Sequence, residues 1–380
     1  MARLTDHNHI DNKTTLVGFL KSIFGKKEQP IKSYDDFWTW FQSNERKFYD
    51  IVKSGQNPEK EFFDKLSPKL GELKDGYYYL TGMFDDDTVE LVLTPDGIVK
   101  NIVFVEELVN SAPTISNWKF TALKPALDIE NIRIDMEGYS FDSDNLSFYS
   151  IDNNNYPDEV DIVIVHNDYK EDDKSTITNG TFIFLDNYLG ELNSVTTIDN
   201  LIVIPRNKAE KELIPIAKLK DYLIWREKEF VEKYSGIRYD TENDMYSSLE
   251  AELKNGRPLV AVINTTLLEW DSKASHPWLL KVEITYDGND NNGMPDNITY
   301  ELLNKFEDEV MLKIKDFDGY LNIGRQTADN TREIYFACND FRKPSKVLHE
   351  LTKKYSGKLN LTYDIYKDKY WQSYERFRTS

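Results

Sequence analysis

Between residues 257 and 366, apolar runs of strand length alternate in a fixed order with amphipathic stretches of helix length. This alternation restricts the fold more than any other part of the chain. Residues 258–268 and 278–286, rich in Val, Ile and Leu, read as strands. A helix is predicted over 296–317, because Leu303, Phe306, Val310, Ile314 and Phe317 recur at steps of three and four and so share one side. Strands follow at 320–325 and 332–338, a helix at 345–355 and a strand at 358–366. Pro344 suits the first turn of that last helix and Gly357 its exit. With 258–268 set aside, the order is β-α-β-β-α-β, that of a ferredoxin-like sandwich. The aromatic segment Tyr370-Trp371-Gln372-Ser373-Tyr374 is expected to dock on the sheet.

The preceding chain also alternates. Residues 1–32 read as a flexible leader with one apolar patch from Leu16 to Phe24, and the role of that patch stays open. Ser33 is placed to cap a helix carrying Phe37, Phe41, Phe48 and Ile51, which Gly55 would end. Pro58 opens a second helix, with Phe62, Phe63, Leu66 and Leu70 on one face and Gly71 at its close. Strands at 77–83 and 88–94 pair across Asp85-Asp86-Asp87, a short helix contains Ile102, Val105, Leu108 and Val109, and 118–123 returns as a strand. The stretch to Asn145 has no readable period. Hairpin, helix and strand then recur: 146–151, 159–165, a helical face of Phe182, Leu185, Tyr188 and Leu189, and 201–205. A helix is expected over 210–234, stopped by Gly236. The prediction is an α+β protein with two domains of antiparallel sheet and helices on one face. The leader is 1–32, the N-terminal domain 33–206, the helical linker 207–239, and 240–380 a ferredoxin-like domain, βαββαβ plus an extra strand.

Several short motifs carry a resemblance. Asn292-Gly293-Met294-Pro295, Gly324-Arg325-Gln326-Thr327, Arg332-Glu333-Ile334-Tyr335-Phe336 and the aromatic tail occur in an order by which residues 240–380 resemble the bacterial domain of unknown function 695 family. Phe37-Trp38-Thr39-Trp40-Phe41, Thr94-Pro95-Asp96-Gly97, Ala112-Pro113 with Trp118, and the run from Leu185 to Glu191 make the N-terminal part similar to uncharacterised bacterial proteins that often precede that domain. The family sometimes neighbours relatives of the ribonuclease E inhibitor B, which is association only. The resemblance implies no catalytic residues.

Composition narrows the chemistry. With 47 basic and 66 acidic residues the chain carries −19, which disfavours nucleic acid and anionic lipid and allows a basic protein partner. The N-terminus lacks a secretory layout and no apolar run is long enough to span a bilayer, so a cytoplasmic location without a transmembrane segment is expected. Cys338 is the single cysteine, excluding an internal disulfide, and it reads as a structural thiol on a strand. His7, His9, His166, His276 and His349 lack ligand spacing, so no metal site is assigned. Asp287-Gly288-Asn289-Asp290-Asn291-Asn292-Gly293 resembles the start of a calcium loop, but Asn292 stands where glycine belongs and Ile298 where a bidentate Glu belongs. A turn is the simpler reading. Gly-x-Ser-x-Gly and phosphate-cradling glycine motifs are missing. Glu106-Glu107 and Glu171-Asp172-Asp173 read as solvated faces.

Arg325 and Arg332, at strand ends flanking one turn, are the candidate ligand-binding residues. Together they could hold a carboxylate or phosphate, although pairing with the chain's own acids is the simpler outcome. No catalytic, metal or cofactor-binding residue is assigned, no cofactor is expected, and the oligomeric state is open. The leading expectation is a non-catalytic protein-binding or regulatory protein with an acidic surface. The alternatives are a hydrolase-type enzyme with an inter-domain carboxylate/arginine site, or an immunity-like protein neutralising a basic toxin.

Overall fold

A computed structural model describes residues 29–378, and its first helix begins where the sequence provides a cap. The patch from Leu16 to Phe24, His7 and His9 lie outside the described residues. The chain falls into two compact units, Met1–Asp75 and Gly76–Ser380. The sequence expectation divides it differently, at 206 and 240.

In the first unit, α1 (Tyr34–Ser54) starts at Ser33, whose extended backbone lets Oγ accept the Asp36 N–H at 3.2 Å. Gly55 closes it in the left-handed region at φ 65°. A π-turn, Glu59–Phe63, runs directly into α2 (Asp64–Leu73). Phe62 meets Phe48 edge-on at 4.8 Å. Gly71 does not end this helix. It keeps helical backbone, and the turn beyond it is held because the Glu72 carboxylate accepts the Ile31 N–H and pairs with Lys69.

The second unit opens with β1 (Tyr78–Met83) and β2 (Val89–Thr94), an antiparallel hairpin closed by the Asp85 carboxylate accepting the N–H groups of Asp87 and Thr88. Helix α3 (Val99–Asn110) crosses to β3 (Trp118–Ala122), which lies parallel to β2. A small hairpin, β4 (Ile134–Met136) and β5 (Tyr139–Phe141), occupies the stretch without a readable period. Three residues per strand are too few to register an alternation. The first motif then recurs: β6 (Leu146–Ile151), β7 (Asp161–His166), α4 (Lys174–Leu189), α5 (Glu191–Thr196) and β8 (Asn200–Pro205), with β8 parallel to β7. On α4 the buried side is Ile177, Thr181, Phe184, Leu185 and Tyr188, and Phe182 faces water. The helix is turned this way because Gly180 lies under the Phe141 ring, where a Cβ would come within 2.1 Å of Cζ.

Ile214–Pro215 forms a short β9 against β6, and α6 (Leu219–Tyr234) starts only after it. The predicted start at 210 is too early, since Pro215 holds Ile214 out of helical backbone.

The large sheet follows. Its elements are β10 (Tyr246–Glu252), β11 (Pro258–Asn264), the single turn α7 (Thr265–Leu268), β12 (Trp278–Thr285), α8 (Asn297–Lys313), β13 (Tyr320–Ala328), β14 (Thr331–Cys338), α9 (Arg342–Tyr355) and β15 (Asn360–Lys367). The strand order is β10-β11-β13-β14-β12-β15, and every neighbouring pair is antiparallel. The outermost strand β10 exposes Glu250 and Glu252 and was not readable as a strand for lack of an apolar face. On α8 the residues Leu303, Phe306 and Val310 are buried, as is Ile314 just past its end. Phe317 is exposed because the helix stops at Lys313. The other face is covered by Trp371, Tyr374 and Phe377, which pack with Leu279, Leu321, Ile323, Tyr335 and Ala337. Trp371 Nε1 also donates to the His276 carbonyl at 2.9 Å.

Helix α3 lies along α9. Arg342 grips the Glu106 carboxylate with two 2.8 Å bonds, Lys346 pairs with Glu107, and Phe104 meets His349 edge-on at 4.9 Å. Glu106 and Glu107 are therefore ion-paired, not a solvated run. Among the described residues no helix is long and apolar enough to cross a membrane.

Candidate functional site

Strand register brings the two predicted arginines to one place. Val262 lies opposite Arg325 and Val260 opposite Thr327, while Thr327 lies opposite Arg332 across the next ladder. Residues directly opposite in an antiparallel pair share a face, so all five project to the side covered by α8. With Met294, Pro295 and Tyr300 they line a pocket of about 170 Å³.

Arg332 is 2% exposed. Its Nε donates to Thr327 Oγ1 at 3.1 Å and its Nη1 to Asn304 Oδ1 at 2.8 Å. The Tyr300 ring lies 5.2 Å from the guanidinium carbon. Both acceptors are neutral, and among the described residues no carboxylate forms a salt bridge with Arg332 and no group accepts from Nη2. Burial, reinforced by the charge of Arg325, lowers its pKa. Arg325 Nη1 donates to Glu307 Oε2 at 2.8 Å. The Glu307 side chain is 5% exposed against 26% for Arg325. Burial raises the Glu307 pKa and Arg325 opposes that shift. Two cations and one anion thus share the site.

The floor of the pocket is fixed by the loop that resembled a calcium site. Gly293 N–H donates to Gly288 O at 2.7 Å, Asn330 N–H to Gly293 O at 2.8 Å, and Asn291 Nδ2 to Pro295 O at 3.1 Å. Asn289 Oδ1 accepts from Arg257 and Asn330, both at 3.1 Å. Asp329 and Asn330 both have positive φ, the two-residue turn that joins twisted strands tightly. These bonds staple the loop to the β13–β14 turn and set Met294 and Pro295 against the arginines. Among the described residues no group of three or more His, Cys, Asp and Glu could hold a metal ion.

Sequence reading missed Glu307, Asn304, Tyr300 and Thr327. For Glu307 a signal existed: it stands four residues after Leu303 and three before Val310, a carboxylate on the apolar stripe of α8. For the other three the spacing carried none.

The remaining candidates lie apart from the pocket. Cys338 is buried on β14, and burial pushes its thiol well up. His166 is buried, with Nδ1 accepting the Asp168 N–H and Nε2 donating to Ser140 O, each at 3.1 Å. His276 is buried beside Trp270 with Nε2 unpartnered, and burial lowers its pKa to about 4. Asp173, in the other acidic run, accepts from the Tyr139 hydroxyl at 2.6 Å.

Two further carboxylates organise the unit. Glu191 is fully buried and accepts from Thr94 Oγ1, from the Gly97 N–H at 2.7 Å and from the Lys124 N–H at 3.1 Å. Lys124 Nζ bonds Asp96 and Asp186 at 2.9 and 3.0 Å. Thr94-Pro95-Asp96-Gly97 and the run ending in Glu191, which read as separate motifs, are therefore one joint. Asp199 pairs with Lys367 and Lys369, both at 2.8 Å, near the end of β15. Beside it Glu159 accepts from Gln372 at 2.7 Å. Burial and the carboxylates of Asp161, Asp199 and Asp368 raise its pKa to about 7.

The fold and site define an α+β protein whose antiparallel sheet carries an arginine-lined pocket under a long helix. Residues 251–378 match the model of a family of unknown function, DUF695, in agreement with the C-terminal resemblance. Comparison with curated proteins and with solved structures finds no match.

Proposed function

We propose that this chain is a non-catalytic binding or regulatory protein of the bacterial cytoplasm whose recognition element is the arginine pocket. Arg332 carries the reading: a buried cation satisfied only by neutral acceptors, with donors left over at a pocket, favours an anionic visitor. Taking such a charge out of water costs several kcal/mol, about what a bound anion would offset. Binding is favoured over turnover because the Glu307 carboxylate is already engaged by Arg325. The hydrolase-type alternative needs a working carboxylate beside an arginine. Glu159, whose pKa is raised to about 7, lies by the Trp278 end of β12, whereas Arg332 pairs near its Thr285 end. The net charge of −19 supports a basic protein as partner of the outer surface. The immunity-like alternative rests on that charge alone. We read β12-α8-β13-β14-α9-β15 as ferredoxin-like, supported by the strand order β13-β14-β12-β15, with β10 and β11 added at one edge.

The test is thermal unfolding of the full chain with acetate, phosphate or sulfate against chloride at matched ionic strength. At least one anion is expected to raise Tm in the wild type and not in Arg332→Met, since a ligand of the native state stabilises it. An unchanged Tm across the panel overturns the reading.

A further inference from the structure

We propose that the pocket takes a short-chain monocarboxylate, head group on the arginines and tail against Val260, Val262, Met294 and Pro295. This rests on the reading of the pocket as an anion site and goes on to its ligand class. Three observations select it. The first is charge: Arg325 and Arg332 set against Glu307 leave one positive charge, matched by a monoanion. A dianion would be buried with one charge uncompensated, which is costly.

The second is the lining. Arg325, Thr327 and Arg332 contribute donors along the β13–β14 ladder, while Val260 and Val262 beside them on β11 and Met294 and Pro295 on the loop offer carbon. A fully hydrated anion such as phosphate would leave that carbon facing polar oxygens. An amphiphile satisfies both walls. A carboxylate is also flat, so it suits the spare N–H groups of a guanidinium, which lie in one plane.

The third is size. A space of about 170 Å³ is well below the roughly 300 Å³ from which ligand pockets usually start, so it suits a carboxylate with a short tail. Longer chains must displace Tyr300 or leave carbon in water.

The experiment is calorimetric titration of the full chain with acetate, butyrate, octanoate and inorganic phosphate at one ionic strength. Affinity is expected to rise about three- to fourfold per methylene from acetate to butyrate, to stop rising by octanoate, and to exceed that for phosphate throughout. Val260→Phe, which fills the tail space and leaves the arginines intact, is expected to lose the gain of butyrate over acetate. This variant keeps the test valid should Arg332→Met fail to fold. Binding of phosphate but not butyrate, abolished in Arg332→Met, overturns the ligand class and leaves the anion reading standing. Equal affinity for acetate and butyrate also overturns the class. Binding of none of the four overturns both.

Discussion

Glu307 and Arg325 form one ion pair whose members sit in different surroundings, so removing each has a different cost. Arg325 keeps access to water, whereas Glu307 is nearly enclosed. Arg325→Met strands a buried carboxylate and is expected to cost about 3 kcal/mol in urea unfolding. Glu307→Gln keeps an oxygen for Arg325 Nη1 and removes the buried charge, so it is expected to stay within about 1 kcal/mol of wild type. Equal losses in both would show that the pair is not divided in this way. Arg332 was legible because a charged residue beside a short turn stands out from an apolar strand, whereas Arg325, expected at a strand end, lies inside β13, which runs on to Ala328. Glu307 left one sign, a carboxylate on the covered stripe of α8, but helical spacing cannot report that β13 brings a cation beneath it. Gly71 misled for a related reason: glycine permits an exit but does not force one, and the bonds of Glu72 to Ile31 and Lys69 decide the matter.

At the scale of elements, two glycines separate a local need from a tertiary one. Gly55 ends α1 at φ 65° in open space, so Gly55→Ala pays only the left-handed backbone, about 1 kcal/mol. Gly324 has φ 136° at a bulge in the β13–β14 ladder, and a Cβ there would stand 2.2 Å from the Val262 carbonyl oxygen on β11. Gly324→Ala is expected to cost at least about 3 kcal/mol and to part β11 from β13, with loss of amide protection in 259–263. Protection there that matches wild type would exclude that role. The cap at Gly55 was readable from local sequence because the requirement is local. That at Gly324 was not, since the obstructing atom belongs to a strand more than 60 residues earlier in the chain. The same distinction explains why α8 was readable from its stripe while the β4–β5 hairpin and the edge strand β10 were missed: these two lack the long apolar period by which elements announce themselves.

For the molecule as a whole, acidity acts most plainly through Glu159, where residues 76–206 meet the end of the large sheet. Its pKa is raised to about 7, so the native state holds a proton that the unfolded chain, titrating near 4.5, has already released. This contribution is complete below the unfolded value and is lost as pH rises through about 7. Glu159→Gln keeps the bond from Gln372 and, because solvent screens this partly exposed group, is expected to gain only about 1 kcal/mol over wild type at pH 8, with no gain at pH 4.5. A gain independent of pH would assign the effect to packing instead. The edge of the large sheet has its own bearing on behaviour at concentration. Another copy laid alongside β10 would bring the carboxylates of Glu250 and Glu252 to within a few ångströms of its own, at the roughly 4.8 Å spacing of neighbouring strands. Mutual repulsion there works against fibre-like growth, and the protection weakens in strong brine.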